Sequence, residues 1–122
     1  MKTAAIIGAH NDRSRWGNKA VRAFMRQGFE VFPVSPTESQ IEGLRAFKKI
    51  AEVPTRLNLV SIYVRPEILL KLLPEIAEKG CDELWLNPGT ASPEVLEKAV
   101  ELKLKVIQGC SILGIGVSPS TL

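Results

Sequence analysis

The chain has 122 residues, 45% of them hydrophobic and 24% charged, which is ordinary for one soluble globular domain with one core. Its 16 basic and 13 acidic residues leave a net charge of +3, too mild to argue for a nucleic-acid partner. No apolar run reaches the roughly 18 residues of a membrane span, and Met1 to Ile7 is too short an apolar run for a signal peptide, so a cytoplasmic protein with no membrane partner is expected.

Ala4 to Ile7 reads as a first strand, closed by a turn at Gly8. Residues 16–27 carry Ala20, Val21, Phe24 and Met25 at helical spacing, with Gly28 as the stop. Glu30 to Val34 reads as a second strand, ended by the cluster of Pro33, Ser35 and Pro36. Residues 37–56 are the least regular part, where Leu44 to Ile50 fits a short helix that Pro54 ends. Leu57 to Val64 is apolar nearly throughout, as a central parallel strand should be. Pro66 then takes the first position of a helix whose stripe of Ile68, Leu69, Leu72, Leu73, Ile76 and Ala77 ends at Gly80. Pro74 falls inside that stripe and predicts a kink or a break. Glu83 to Leu86 reads as a fourth strand. Ser92 and Pro93 open a further helix with Val95, Leu96, Ala99 and Val100 inward. Lys105 to Ile107 reads as a fifth strand, and the Gly- and Ser-containing tail from Ile112 to Leu122 is expected to pack loosely.

Strands alternating with helices predict an α/β fold: a doubly wound parallel sheet of about five strands, Rossmann-like, in a single domain over residues 1–122. Such sheets bind ligands beyond the carboxyl ends of their strands. The segments to watch are therefore Gly8 to Arg15, Ser35–Pro36, Arg65–Pro66, Asn87 to Thr90 and Gln108 to Ser111.

The first of these carries the strongest signal. Gly8 permits a tight turn, and the helix that follows aims its free N–H groups and dipole at the loop, as a phosphate requires. Ser14, Arg15 and Lys19 can add direct contacts, and Lys2, Arg13, Arg22 and Arg26 concentrate basic charge around them. A plain turn beside a solvated helix face is the competing explanation. After Gly8 the next glycine is Gly17, so the segment is not GxGxxG. Ser35 and Pro36 stand where a dinucleotide site usually has an acid for the ribose. Both features argue against NAD, while NADP stays open because an Arg can take its extra phosphate.

The chain resembles the CoA-binding domain family, the Rossmann-like module also found in the α subunit of succinyl-CoA synthetase and in acyl-CoA synthetases, and looks most like its stand-alone members. The matching pieces, over about residues 3–112, are Ile6-Ile7-Gly8-Ala9, Arg15-Trp16-Gly17-Asn18-Lys19, Gly28-Phe29-Glu30-Val31, Pro33-Val34-Ser35-Pro36, Ile41-Glu42-Gly43, Val64-Arg65-Pro66-Glu67, Leu84-Trp85-Leu86-Asn87-Pro88-Gly89 and Cys110. The resemblance implies coenzyme A or an acyl-CoA as the ligand. It implies that the loop from Gly8 and Ala9 to Lys19 holds the phosphates and that Ser35 and Pro36 flank the adenosine. It further implies that Val64, Arg65 and Pro66 border the adenine, with Asn87, Pro88 and Gly89 toward the pantetheine and Cys110 near its thiol. His10 departs from the family's usual Ser or Thr, Ser35 from a frequent Asn, and Arg65 from the Pro of some relatives.

An enzyme would need an acid, a base or a nucleophile at this edge. His10, Asp12, Cys110 and Ser111 are available, but no third group completes a catalytic set, and in the succinyl-CoA synthetase relatives the catalytic His comes from another domain. The expected function is thus a binding module for a small nucleotide ligand. The alternatives are an NAD(P)-dependent enzyme or redox sensor, and a regulatory protein whose nucleotide controls docking to a partner. Cys81 and Cys110 form no CxxC pair, and with a single His a zinc site is not indicated. The two cysteines fall at opposite edges of the sheet, too far apart for a disulfide. Trp85 reads as core, and Trp16 as either a ligand cover or a helix cap.

Overall fold

The apolar runs become a five-stranded parallel sheet in the computed structural model, which describes all residues from Met1 to Leu122. Its strands are β1 (Thr3–Ile7), β2 (Glu30–Val34), β5 (Leu57–Ile62), β6 (Cys81–Leu86) and β7 (Val106–Gln108), with β3 (Gln40–Ile41) and β4 (Leu44–Arg45) set apart as a small antiparallel pair. The spatial order is β2-β1-β5-β6-β7. The chain therefore winds outward in one direction through β2, then crosses β1 and winds outward the other way. The switch point falls between β1 and β5, where ligands of doubly wound sheets bind.

Helix α1 (Trp16–Arg26) covers one face and α2 (Pro66–Lys79) and α3 (Pro93–Glu101) the other. Strand residues alternate between the two sides. Ala5, Ile7, Val60 and Ile62 meet Leu69, Leu73 and Ile76 of α2, while Ala4, Ile6 and Leu59 meet Ala20, Val21 and Phe24 of α1. Each fully buried Val, Ile, Leu or Phe among them contributes about 1.5–3 kcal/mol, so the two layers fix the sheet between them. The α3 start follows its sequence signal, since the Ser92 hydroxyl accepts the Val95 N–H at 3.2 Å with Pro93 behind it.

Several expectations are corrected. Leu44 to Ile50 is not a helix. Glu42 and Gly43 have φ of 51° and 79°, which closes a two-residue hairpin between β3 and β4. The chain then lies along the open edge of β2, where Phe47 N–H donates to Pro33 O and Ser35 N–H to Phe47 O, both at 2.9 Å. The edge position also suits Pro33, which lacks a ladder donor. Pro74 does not break α2. It sits on the exposed face, where a carbonyl left without its helical donor can be hydrated. The tail is not loose. A short helix, α4 (Ser111–Gly114), and a 3-10 turn at Pro119–Thr121 bring Ile112 and Val117, 0% and 5% exposed, into the α1 layer, and Arg26 and Gln27 donate to Thr121 and Ile115. The third parallel strand stops at Ile62, two residues earlier than its apolar run suggests. Met25, Ile68 and Val100, expected inside, are exposed. No helix is long and apolar enough to cross a membrane.

Candidate functional site

One register row runs straight across the sheet through Val34, Ile7, Ile62, Leu86 and Gln108. The residues just beyond it, Ser35, Gly8, Tyr63, Asn87 and Gly109, form the rim of the carboxyl edge. Two glycines let the backbone close up there. Gly8 has φ of 90°, and a Cβ on it would sit 2.6 Å from the Tyr63 carbonyl oxygen. A Cβ on Gly17 would overlap the Gly8 carbonyl oxygen outright. The first turn of α1 thus lies directly against the end of β1.

Hydrogen bonds hold the loop between them. The Asn18 amide, fully buried, donates to His10 O at 2.8 Å and to Glu42 Oε2 at 3.1 Å, and Arg22 Nε donates back to its oxygen at 2.8 Å. Asp12 accepts the Ser14 hydroxyl at 2.7 Å and the Ser14 N–H at 2.9 Å. These two hydrogen bonds, the hydroxyl first, hold the Asp12 carboxyl below its ordinary pKa. His10 Nδ1 accepts the Asp12 N–H at 2.9 Å. The helix start itself is bare. Arg15 occupies the N-cap without a side-chain cap, and the first turn of α1 has no acidic residue. Its free N–H groups and positive dipole end are left for an anion.

A cavity of about 460 Å³ opens in front of this turn. Of the residues singled out in the sequence, Gly8, His10 and Arg15 line one side, Val64 and Arg65 another, and Asn87, Pro88, Gly89 and Cys110 the far side. The others are placed differently. Ala9 is buried beneath the loop and Ser14 is turned to Asp12. The Lys19 ammonium lies 4.7 Å over the Trp16 ring. Pro66 starts α2 behind Arg65. Ser35 is buried, its hydroxyl accepting the Glu38 N–H at 3.2 Å, and Pro36 is exposed beside it; both lie beyond β2, off the cavity wall. Arg65 is exposed, its Nε 3.8 Å from Glu67. Trp16, 51% exposed, lines the cavity as the first residue of α1. Trp85 is half-buried under α4 and donates to Glu83 at 3.0 Å, away from the cavity.

Gly17, Tyr63 and Thr90 complete the wall. Gly17 and Thr90 belong to segments the sequence marked, but Tyr63 was hidden inside the longer apolar run. Behind Tyr63 lies a buried polar cluster drawn from three strand ends. Asn87 Nδ2 donates to Ile62 O at 2.8 Å and to Ser61 Oγ at 2.9 Å, and Asn87 Oδ1 accepts the Ser111 N–H at 2.8 Å. Ser61 Oγ lies 2.7 Å from Ser111 Oγ, which lies 3.1 Å from Tyr63 Oη. The Thr90 hydroxyl donates to Asn87 O at 2.7 Å. The cysteines are apart, Cys81 opening β6 and Cys110 following β7, and both are free. Burial, aided by the Asp82 charge, pushes the Cys81 thiol up to about 11, so it is not a nucleophile at neutral pH.

Comparison with known proteins gives consistent matches. A family model described as "CoA binding domain" matches residues 2–115. The chain is 34% identical over 77 residues to the alpha subunit of acetate–CoA ligase (ADP-forming) II from Pyrococcus furiosus, covering 62% of this chain and 17% of that subunit. It is 24% identical over 111 residues to the uncharacterized protein YneT of Bacillus subtilis, covering 91% of this chain and 82% of that one. Among solved structures, a conserved hypothetical protein from Pyrococcus furiosus superposes with a TM-score of 0.86 at 27% identity, covering 93% of this chain and 99% of the other. A Thermus thermophilus protein superposes with a TM-score of 0.86 at 27% identity, covering 92% and 86%.

Proposed function

This chain belongs to the CoA binding domain family, and on that premise we propose that it binds coenzyme A or an acyl-CoA across the carboxyl edge of its sheet, as a binding module rather than an enzyme. The observation that carries the reading is the bare start of α1, held against β1 by Gly8 and Gly17 and opening onto the cavity beside Arg15. Free helical N–H groups, a positive dipole end and a guanidinium together suit a polyphosphate. The opposite side of the cavity, with Tyr63, Pro88, Gly89 and Cys110, offers neutral surface that suits the pantetheine arm. A ligand of this length extends past the cavity, toward Ser35 and Pro36, where the adenosine would lie against the end of β2. When bound, coenzyme A supplies a thiol that carries acyl groups as thioesters; this chain's residues bind and orient it. The match covers 17% of the ligase subunit from Pyrococcus furiosus, so the acyl chemistry of that ligase is no part of this proposal.

Melting temperatures with CoA, acetyl-CoA, NAD, NADP and ATP at equal concentrations test the reading. At a hundredfold excess over Kd, a ligand that binds only the folded state stabilises it by about 2.7 kcal/mol. CoA or acetyl-CoA is expected to raise the midpoint most. A clear rise with NAD and none with CoA would overturn the proposal.

Arg15→Ala is expected to weaken CoA binding by about 1.5 kcal/mol, or roughly tenfold, because charge-assisted contacts to phosphate are the stronger kind. The loss should shrink as salt screens the mouth of the cavity. Lys19→Ala is expected to act in the same direction by about 1 kcal/mol. Titration calorimetry at low and high salt measures both. Unchanged affinity at low salt in both variants would remove the phosphates from this loop.

A further inference from the structure

The hydrogen bonds behind Tyr63 have a direction. Asn87 is buried, and two backbone groups fix its amide: the Ser111 N–H needs an acceptor and Ile62 O needs a donor, so the oxygen faces the first and the nitrogen the second. The second hydrogen on Nδ2 then goes to Ser61 Oγ. The Ser61 hydroxyl must send its own proton onward, and Ser111 Oγ lies 2.7 Å away. Ser111 is 0% exposed, and its proton has Tyr63 Oη as its remaining partner at 3.1 Å. The reverse polarity would leave a fully buried serine proton without an acceptor, the expensive outcome for a buried hydroxyl. Tyr63 therefore ends the chain as an acceptor, with its own proton uncommitted, on the wall of the cavity that Cys110 also lines.

We infer that the Tyr63 hydroxyl donates a hydrogen bond to a carbonyl oxygen of the ligand. This rests on the reading of the ligand as coenzyme A or its acyl form, and names the group that the inner end of the cavity recognises. Burial raises the Tyr63 pKa, against the pull of the hydrogen bond with Ser111, so the phenol keeps its proton at neutral pH. A single neutral donor suits a neutral acceptor, whereas the phosphates have Arg15 and the start of α1. Coenzyme A offers such acceptors in two places: the amide carbonyls of the pantetheine arm and the thioester carbonyl of an acyl group. A donor relay that begins at a fixed amide delivers the proton already oriented, which lowers the ordering cost of binding.

The experiment compares the native protein with Tyr63→Phe for acetyl-CoA, CoA and adenosine 3′,5′-bisphosphate, which has no carbonyl in its chain. Tyr63→Phe is expected to bind the carbonyl ligand roughly three- to tenfold more weakly, the value of one net hydrogen bond, with the bisphosphate unchanged. A loss for acetyl-CoA alone places the thioester at Tyr63, and a loss for CoA and acetyl-CoA alike places an arm amide there. Equal affinity of all three ligands for both proteins overturns the inference and leaves the coenzyme A reading standing. An equal loss that includes the bisphosphate also overturns it, since Tyr63 would then act through the fold. Failure of the native protein to bind any of the three removes the coenzyme A reading itself. Tyr63→Leu, which keeps an apolar side chain in the wall without a hydroxyl, is expected to reproduce the carbonyl-dependent loss with the bisphosphate unchanged, and decides the matter if Tyr63→Phe does not fold.

Discussion

Gly17→Ala is expected to destabilise the protein by about 3 kcal/mol and to abolish ligand binding at the loop, although helix propensity alone predicts the opposite sign. Alanine is better than glycine inside a helix by about 1 kcal/mol, and the backbone of Gly17 is not in the left-handed region, so an ordinary surface helix would gain from the change. Here the new Cβ would overlap the Gly8 carbonyl oxygen and come within 3.0 Å of its carbon and 3.2 Å of Ala9 Cα. All three are backbone atoms, so no flexible side chain can move aside. α1 must lift away from β1, which opens the contacts of Ala20, Val21, Ala23 and Phe24, each 0% exposed. The lifted helix also takes its bare first turn away from Gly8 and breaks the Asn18 bonds to His10 and Glu42. Gly28→Ala is the control. A Cβ there meets nothing within 4 Å, so only its positive φ of 82° resists, at about 1 kcal/mol. Urea unfolding measures both, and a Gly17→Ala protein as stable as the parent would remove the backbone contact from the account of the site.

The two layers and the position of the loop were legible because parallel strands buried on both faces are written as largely apolar runs, unbroken in Ala4 to Ile7 and interrupted only by Asn58 and Ser61 in Leu57 to Ile62. The same simplicity hid Tyr63. Its apolar ring continues the run of β5, and nothing in the local pattern tells that the ladder ends at Ile62 and turns the next side chain to the cavity. The hairpin of β3 and β4 was misread because Leu44, Phe47 and Ile50 recur every third residue, as one helix face would. Its turn signal was disguised too, since Glu42 takes the left-handed position that Asn or Asp more often announces. The tail looked loose by composition, yet Ile112 and Val117 fall where the α1 layer has room for them. The polar cluster was beyond local reading altogether. Ser61, Asn87 and Ser111 stand 26 and 24 residues apart along the chain, and the registers of β5 against β6 and of β6 against β7 bring them together.

That cluster gives the second large effect. Asn87→Asp changes one atom type, and its consequences depend on pH with a defined sign. The retained oxygen still accepts the Ser111 N–H. The other position, which donated to Ile62 O at 2.8 Å and Ser61 Oγ at 2.9 Å, becomes an acceptor. When ionised, it faces the Ile62 carbonyl oxygen with like partial charge in a site 3% exposed, and when protonated it can still donate one hydrogen bond there. Burial and the carbonyl both favour the protonated form, so the introduced carboxyl titrates higher in the folded protein than its unfolded value of about 3.9. The folded state then holds the extra proton, and stability falls as pH rises from about 4 to the raised folded value, by up to about 1.4 kcal/mol per pH unit. At pH 8 the loss relative to the parent is expected to reach about 3–5 kcal/mol, the scale of an unpaired buried charge. At pH 5 much of it should be recovered. Asn87→Ala leaves the same groups unpaired without a charge, so its loss of about 2–3 kcal/mol should not vary with pH beyond the parent's own dependence. Urea unfolding of the three proteins between pH 5 and 8 reads the difference directly. Parallel curves for Asn87→Asp and Asn87→Ala would mean that water reaches Asn87. The hydrogen-bond relay to Tyr63 would then lose its fixed direction, because a hydrated amide no longer dictates where the serine protons point.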